Sequence, residues 1–117
     1  MNQFGGYTGM RPAALRSFVQ GHVYAAGFAA ETLILGGDHL ERNPWRALPA
    51  TEAMAHAETM VSEYVQSGFA KIHLDDSMAC GSDPAQLSDE VVAQRTAQLC
   101  KAAERACASG DGPVHVI

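Results

Sequence analysis

The chain has 117 residues, of which 47% are hydrophobic, which is typical of a small globular domain or of part of a larger one. Its formal net charge is −5, and its eight lysines and arginines form no cluster, which argues against nucleic-acid and anionic-membrane partners. No run approaches the ~20 apolar residues of a membrane span, and residues 2–6 lack a signal-peptide pattern. We therefore expect a cytoplasmic protein.

Helical and strand patterns alternate along the chain. Apolar residues recur at helical spacing in three segments, and short aliphatic runs follow them. In chain order the sequence predicts a helix from Pro12 to Gly27, a strand at 32–35, a helix capped by Thr51 and closed by Gly68, a strand at 71–74, a helix from Ser88 to Gly110, and a strand at 114–117. This αβαβαβ pattern favours parallel βαβ units over hairpins.

The predicted fold class is α/β, as part of a (β/α)8 barrel, with residues 1–117 as an internal fragment of a single domain. A complete barrel has eight strands and typically about 250 residues. An open flavodoxin-like sheet is the alternative, but that fold usually needs more strands than these. We expect the chain to be cut at both ends, and its unpaired edges and apolar faces to make it unstable or oligomeric in isolation.

Polar residues follow the first two predicted strands. Asp38 and His39 come after the first, and Asp75 and Ser77 come after the second. Ligands of parallel α/β folds bind at this end of the strands. A histidine nitrogen can bind a divalent metal, and an aspartate can move a proton of the substrate. The structural alternatives are a loop-capping role for Asp38 and a hydrogen-bonded structural role for His39.

Two weaker features belong to the same hypothesis. Gly5 and Gly6 begin a glycine-rich segment whose backbone N–H groups could approach a phosphate, although a plain turn fits the pattern equally well. His73 lies inside the second predicted strand. There it could reach a ligand, but a satisfied core histidine is the simpler interpretation.

Three segments resemble one known family, in matching order. They are NQFGGYTGM at 2–10, ILGGDHL at 34–40, and GFAKIHLD at 68–75 followed by Ser77 and Met78. Over nearly its whole length the chain resembles the non-catalytic subunit family of class II D-tagatose-1,6-bisphosphate aldolases. Some members of that family are labelled tagatose-6-phosphate kinases, but the chain has no phosphate-binding lysine motif that would support a kinase.

The resemblance implies a (β/α)8 barrel in a protein several times longer. It also implies an accessory role, in which the subunit supports a catalytic class II aldolase subunit in galactitol, tagatose or amino-sugar catabolism. The expected ligands are a phosphorylated ketose and a divalent metal, zinc, and the expected assembly is an oligomer. The resemblance assigns proton transfer to Asp38 and metal binding to His39. From their places in the chain we further expect Asp75 to share in catalysis, and Gly5, Gly6, Asn43 and Ser77 to bind substrate.

The chain departs from the catalytic enzymes at the first strand end. They carry His-Leu-Asp-His-His there, whereas this chain has Gly36 for the first histidine and Leu40 for the last. Ordinary aldolase turnover is therefore in question. The alternatives are a metal-dependent ketose epimerase or aldolase that uses Asp38 and His39, and a truncated product without activity.

A second departure follows directly. Glu41 and Arg42 stand where the family usually has Gly-Pro, so this loop is expected to bind or pack differently.

Overall fold

The computed structural model describes residues 9–107 and 112–117. Within them, the elements are α1 (Pro12–Ala25), β1 (Gly36–Gly37), α2 (Ala50–Gln66), β2 (Lys71–His73), α3 (Asp89–Ala106) and β3 (Val114–Val116), with 3₁₀ turns at Ala30–Thr32 and Asn43–Trp45. The strands form one parallel sheet in the order β1-β2-β3. Parallel strands that alternate with helices confirm the predicted fold class, because successive units of a (β/α)8 barrel have this arrangement.

Two helices end as the sequence predicts, at glycines in the left-handed conformation. Gly27 follows α1 with φ 80°, and Gly68 follows α2 with φ 79°. The Gly68 N–H donates to the Val65 carbonyl at 2.8 Å, and the next N–H, of Phe69, donates to Tyr64 at 3.1 Å. This pair of bonds is a Schellman motif, which satisfies the last carbonyls of the helix. Because the chain turns sharply there, β2 begins directly after α2.

The start of α3 is also as predicted, whereas that of α2 is not. Ser88 caps α3, since its hydroxyl accepts a hydrogen bond from the Val91 N–H. Thr51, the predicted cap of α2, lies inside the helix, which begins after Pro49. The predicted end of α3 at Gly110 falls outside the described residues, and the helix ends at Ala106.

The first strand lies later in the chain than the prediction at 32–35. Thr32 closes a 3₁₀ turn, in which its hydroxyl donates to the Ala29 carbonyl at 2.7 Å. Pairing with the neighbouring strand begins at the Leu35 carbonyl, which accepts from the Ala70 N–H at 2.9 Å, and β1 itself is Gly36–Gly37. The prediction at 32–35 is therefore wrong, because the Thr32 hydroxyl bonds locally to the Ala29 carbonyl and the backbone there forms a turn. β2 and β3 each lie within their predicted ranges.

The core lies between the sheet and the helices α2 and α3. Its fully buried members include Leu40, Met60, Val61, Tyr64, Ile72 and Leu99. Ile72 faces this core, and its neighbours Lys71 and His73 point to the opposite face because side chains alternate along a strand. That opposite face carries the polar residues considered below. Among the described residues, no helix combines the length and apolar character needed to cross a bilayer.

Candidate functional site at the strand ends

Three side chains from neighbouring strands converge where β1 and β2 end. An oxygen of Asp38 lies 2.8 Å from His73 Nδ1, and its other oxygen lies 3.3 Å from His39 Nδ1. The two imidazole rings are 4.5 Å apart between centroids. The predicted residues Asp38 and His39 are thus together, and they share one carboxylate with His73.

Backbone pairing explains why these residues meet. Asp38 follows β1 directly, and His73 is the last residue of the parallel neighbour β2. The Leu40 N–H donates to the His73 carbonyl at 2.8 Å, which ties the chain after β1 to the end of β2. His39 lies between the end of β1 and this hydrogen bond of Leu40. It adopts the left-handed conformation with φ 49°, which is uncommon for a residue other than glycine. Its imidazole is thereby held outside the core while Leu40 enters it.

Asp75 completes what we call the strand-end cluster, which comprises Asp38, His39, His73 and Asp75. Its Oδ2 lies 4.0 Å from His39 Nε2, so the two nitrogens of His39 face two different carboxylates. Its Oδ1 accepts hydrogen bonds from the Ser77 hydroxyl at 2.7 Å and the Ser77 N–H at 3.1 Å. Ser77, predicted to bind substrate, therefore orients Asp75.

The electrostatics of the cluster favour charged carboxylates. The hydrogen bond from His73 lowers the pKa of Asp38, with a smaller contribution from His39, and together these outweigh desolvation. The two bonds from Ser77, with the hydroxyl first, lower the pKa of Asp75. Lys71 adds a positive charge, with its Nζ 3.9 Å from Asp38 Oδ1. The cluster thus presents two charged carboxylates, which favour a cationic ligand, and their lowered pKa values make them weak bases.

Glu41 lies beside this cluster and behaves in the opposite way. Burial, and secondarily the negative charge of Asp75, raises the pKa of the Glu41 carboxyl. Its Oε2 is buried without a hydrogen-bond partner among the described residues. At this edge of the sheet, the pKa values of Asp38 and Asp75 are therefore lowered, whereas that of Glu41 is raised. Sequence reasoning did not single out Glu41 as a site residue.

The donor set fits a divalent metal. One ligand atom from each of Asp38, His39 and His73 lies within 4.8 Å of the other two, and Asp38 and His39 are exposed. Catalytic zinc sites use three such nitrogen and oxygen ligands and leave a position open for substrate. The prediction of His39 as a metal ligand is compatible with this geometry and stays a prediction.

His73 is the residue that sequence reasoning placed elsewhere. Its side chain is 23% exposed and bonded to Asp38, so it belongs to the strand-end cluster rather than to the apolar core. Period-two alternation could have indicated this, because His73 and Asp75 are two residues apart and Leu74 between them is apolar and buried.

The remaining substrate-binding predictions have different outcomes. Asn43 begins the 3₁₀ turn in the loop after β1, where its carbonyl accepts from the Arg46 N–H at 3.2 Å. Its role toward substrate stays a prediction. Gly5 and Gly6 lie outside the described residues.

Parallel strands with a polar cluster at their carboxyl ends define an α/β protein of the (β/α)8-barrel type. The model of the family described as D-tagatose-1,6-bisphosphate aldolase subunit GatZ/KbaZ-like matches residues 1–117. The chain therefore belongs to the GatZ/KbaZ-like family of D-tagatose-1,6-bisphosphate aldolase subunits, which confirms the resemblance seen in the sequence.

One solved structure agrees with this assignment. It is the crystal structure of a probable tagatose 6 phosphate kinase from Sinorhizobium meliloti 1021, which is 47% identical in sequence and superposes with a TM-score of 0.88. The match covers 97% of this chain and 28% of that protein. The chain thus spans little more than a quarter of the length of its structural relative.

Proposed function

We propose that the full-length protein containing this chain is an accessory, non-catalytic subunit of a tagatose-1,6-bisphosphate aldolase in the cytoplasm. It would support the activity and stability of a class II catalytic subunit that cleaves this phosphorylated ketose, as part of an oligomer. The observation that carries the proposal is the match to an aldolase-subunit family over residues 1–117.

The packing of Leu40 supports the accessory role. Leu40 occupies the sequence position at which catalytic class II aldolases carry the last histidine of their motif. Here its side chain is 0% exposed and lies in the core. A Cβ on Gly37 would lie 2.6 Å from Leu40 Cδ1 and 3.0 Å from Tyr64 Cδ1, so this corner is tightly filled. The position therefore serves packing rather than chemistry.

The strand-end cluster favours a second candidate, a metal-dependent ketose epimerase or aldolase. A divalent metal such as zinc, held by Asp38, His39 and His73, would polarise the carbonyl group of a bound ketose. Asp75 borders the same space and would be the group that accepts a substrate proton there. Its position supports this role, whereas its lowered pKa makes it a weak base.

A cleavage assay separates the two candidates. The rate of tagatose 1,6-bisphosphate cleavage is measured with the full-length protein alone and mixed with a class II catalytic subunit, with zinc supplied. Stimulation that occurs only in the mixture supports the accessory subunit, whereas turnover by the protein alone supports the enzyme. No effect in either arm would contradict the accessory role and an aldolase activity, and an epimerase would be detected instead by conversion of the ketose to its epimer.

A matched pair of variants sharpens this assay. In an accessory subunit, Asp38→Asn leaves the stimulation intact at normal protein abundance. In an enzyme the same change lowers turnover by roughly 100-fold, the usual size of a lost general acid–base or metal contact. Glu52→Gln, an exposed position in the first turn of α2, is the control and is expected to change neither quantity.

A further inference from the structure

Arg42 lies three residues after His39 and is completely buried. Its side chain is 0% exposed and forms an ion pair with the Asp76 carboxylate. It also donates to the Asp76 carbonyl at 3.0 Å and to the Met78 carbonyl, and its Nε donates to Cys80 Sγ at 3.1 Å. All of these contacts fall on one short segment of the loop after β2.

Such a set of contacts fixes geometry more than a surface ion pair does. A buried guanidinium needs a partner for each of its N–H groups, because desolvation penalises any that are left unpaired. Its planar fork is also rigid, so several bonds to one segment determine both the position and the orientation of that segment. Arg42 therefore joins the loop after β1 to the loop after β2.

The fixed segment surrounds the turn that presents Asp75. Ser77 holds the Asp75 carboxylate through two hydrogen bonds, and it lies between Asp76 and Met78, which Arg42 binds. Asp75 in turn faces Nε2 of His39, across 4.0 Å.

We propose that Arg42 is a positioning residue that holds the Asp75 carboxylate against His39 and thereby strengthens the binding of a divalent cation at Asp38, His39 and His73. A carboxylate hydrogen-bonded to the second nitrogen of a ligating histidine fixes its ring orientation and raises its basicity. Asp75 Oδ2 lies 4.0 Å from His39 Nε2, so a small rotation of the ring on cation binding would form this bond. The inference rests on the metal site of the second candidate function. It adds a residue that the sequence did not assign to the site.

The test is a double-mutant cycle on zinc affinity, measured by chelator competition on the full-length protein. Arg42→Lys keeps the positive charge beside Asp76 but cannot reproduce the fork, and Asp75→Asn removes the proposed target. Each change is expected to weaken zinc binding by about 10-fold, the size typical for a partner of a ligating histidine. The double variant is expected to be no weaker than either single one, because both act through one carboxylate.

Arg95→Lys is the matched control. Arg95 lies in α3 and binds both oxygens of Asp83, at 2.7 and 2.8 Å. Asp83 lies farther along the loop after β2. Replacement of Arg95 disturbs the ion pair with Asp83, which is joined through the Cys80 N–H to the far end of the segment that Arg42 binds. The bonds of Arg42 to Asp76 and Met78 remain, so zinc affinity is expected to stay within about twofold of the wild type. Unchanged affinity in Arg42→Lys, additive losses in the double variant, or an equal loss in Arg95→Lys would each overturn the proposal.

Hydrogen exchange provides a readout that does not depend on metal. The Ser77 N–H is protected by the Asp75 carboxylate, and we expect Arg42→Lys to speed its exchange by about 10-fold while Arg95→Lys leaves it unchanged. If the wild-type protein binds no zinc, the metal site fails, and this measurement alone decides the role of Arg42. Unchanged exchange at Ser77 would then overturn the positioning role.

Discussion

The strand-end cluster and a second group of charged residues both include residues of the loops after β1 and β2, but the two groups have opposite characters. In the cluster, the side chains of Asp38 and His39 are 53% and 51% exposed. The buried loop network, which comprises Arg42, Asp76, Cys80, Asp83 and Arg95, contains an ion pair in which both side chains are 0% exposed. A search for clustered charged residues alone would therefore identify both regions as candidate sites.

Hydrogen bonding separates the two regions. In the network, the guanidinium of Arg42 is directed entirely at protein atoms, and burial, partly offset by Arg42, raises the pKa of Asp76. In the cluster, the side chains are exposed and lie up to 4.0 Å apart, so their polar atoms are accessible to a ligand. Exposure therefore distinguishes the candidate site from the structural network, in which Arg42 and Asp76 are 0% exposed.

The largest expected contrast is between two aspartate-to-asparagine changes. Asp76→Asn should lower the free energy of unfolding by about 3 kcal/mol, because it leaves the buried charge of Arg42 without a counter-ion. Asp38→Asn should change it by less than about 0.5 kcal/mol, since the side chain is exposed. Urea unfolding of the full-length protein measures both, and equal losses would contradict the distinction between the regions.

Acid sensitivity is the second way to test the contrast. Hydrogen bonds from Arg95 lower the pKa of Asp83 from 3.8 to about 2. Because the folded-state pKa is the lower one, this ion pair stabilises the protein fully above about pH 4 and loses its effect as the pH falls towards 2. Asp83→Asn should therefore cost about 2 kcal/mol at pH 7, and the difference from wild type should shrink below pH 4.

The measurement for this prediction is the unfolding free energy of wild type and Asp83→Asn between pH 7 and pH 2.5. Asp89→Asn, at an exposed position in the first turn of α3, is the control. A difference that stays constant over this range would show that Asp83 does not carry the acid sensitivity.

Local patterns in the sequence predicted the features that depend on local forces. Helical periodicity located α1, α2 and α3, and glycine and serine signals placed the end of α2 at Gly68 and the start of α3 at Ser88. The position of Asp38 and His39 at a strand end also followed from the sequence, since an aliphatic run closed by Gly36 and Gly37 precedes them.

Features that depend on distant pairing were not accessible in this way. His73 reaches Asp38 because two parallel strands lie in one register, which no local pattern specifies. The burial of Arg42 depends on a loop more than thirty residues later returning to cover it, with Asp76 separated from it by 34 residues. Arginine is usually exposed in proteins, so the residue type alone would have predicted an exposed side chain at position 42.

The smallest expected effect concerns the outer end of the same loop. The Ala50 N–H, at the start of α2, donates to the Ser82 hydroxyl at 3.0 Å, so a distant serine replaces the predicted cap Thr51. Ser82→Ala should cost about 1 kcal/mol of unfolding free energy, as for a lost helix cap, and Thr51→Ala should cost less than about 0.5 kcal/mol. Thermal unfolding of both variants decides between them. If Thr51→Ala is the more damaging change, local capping governs α2, and the loop after β2 is held by the buried loop network alone.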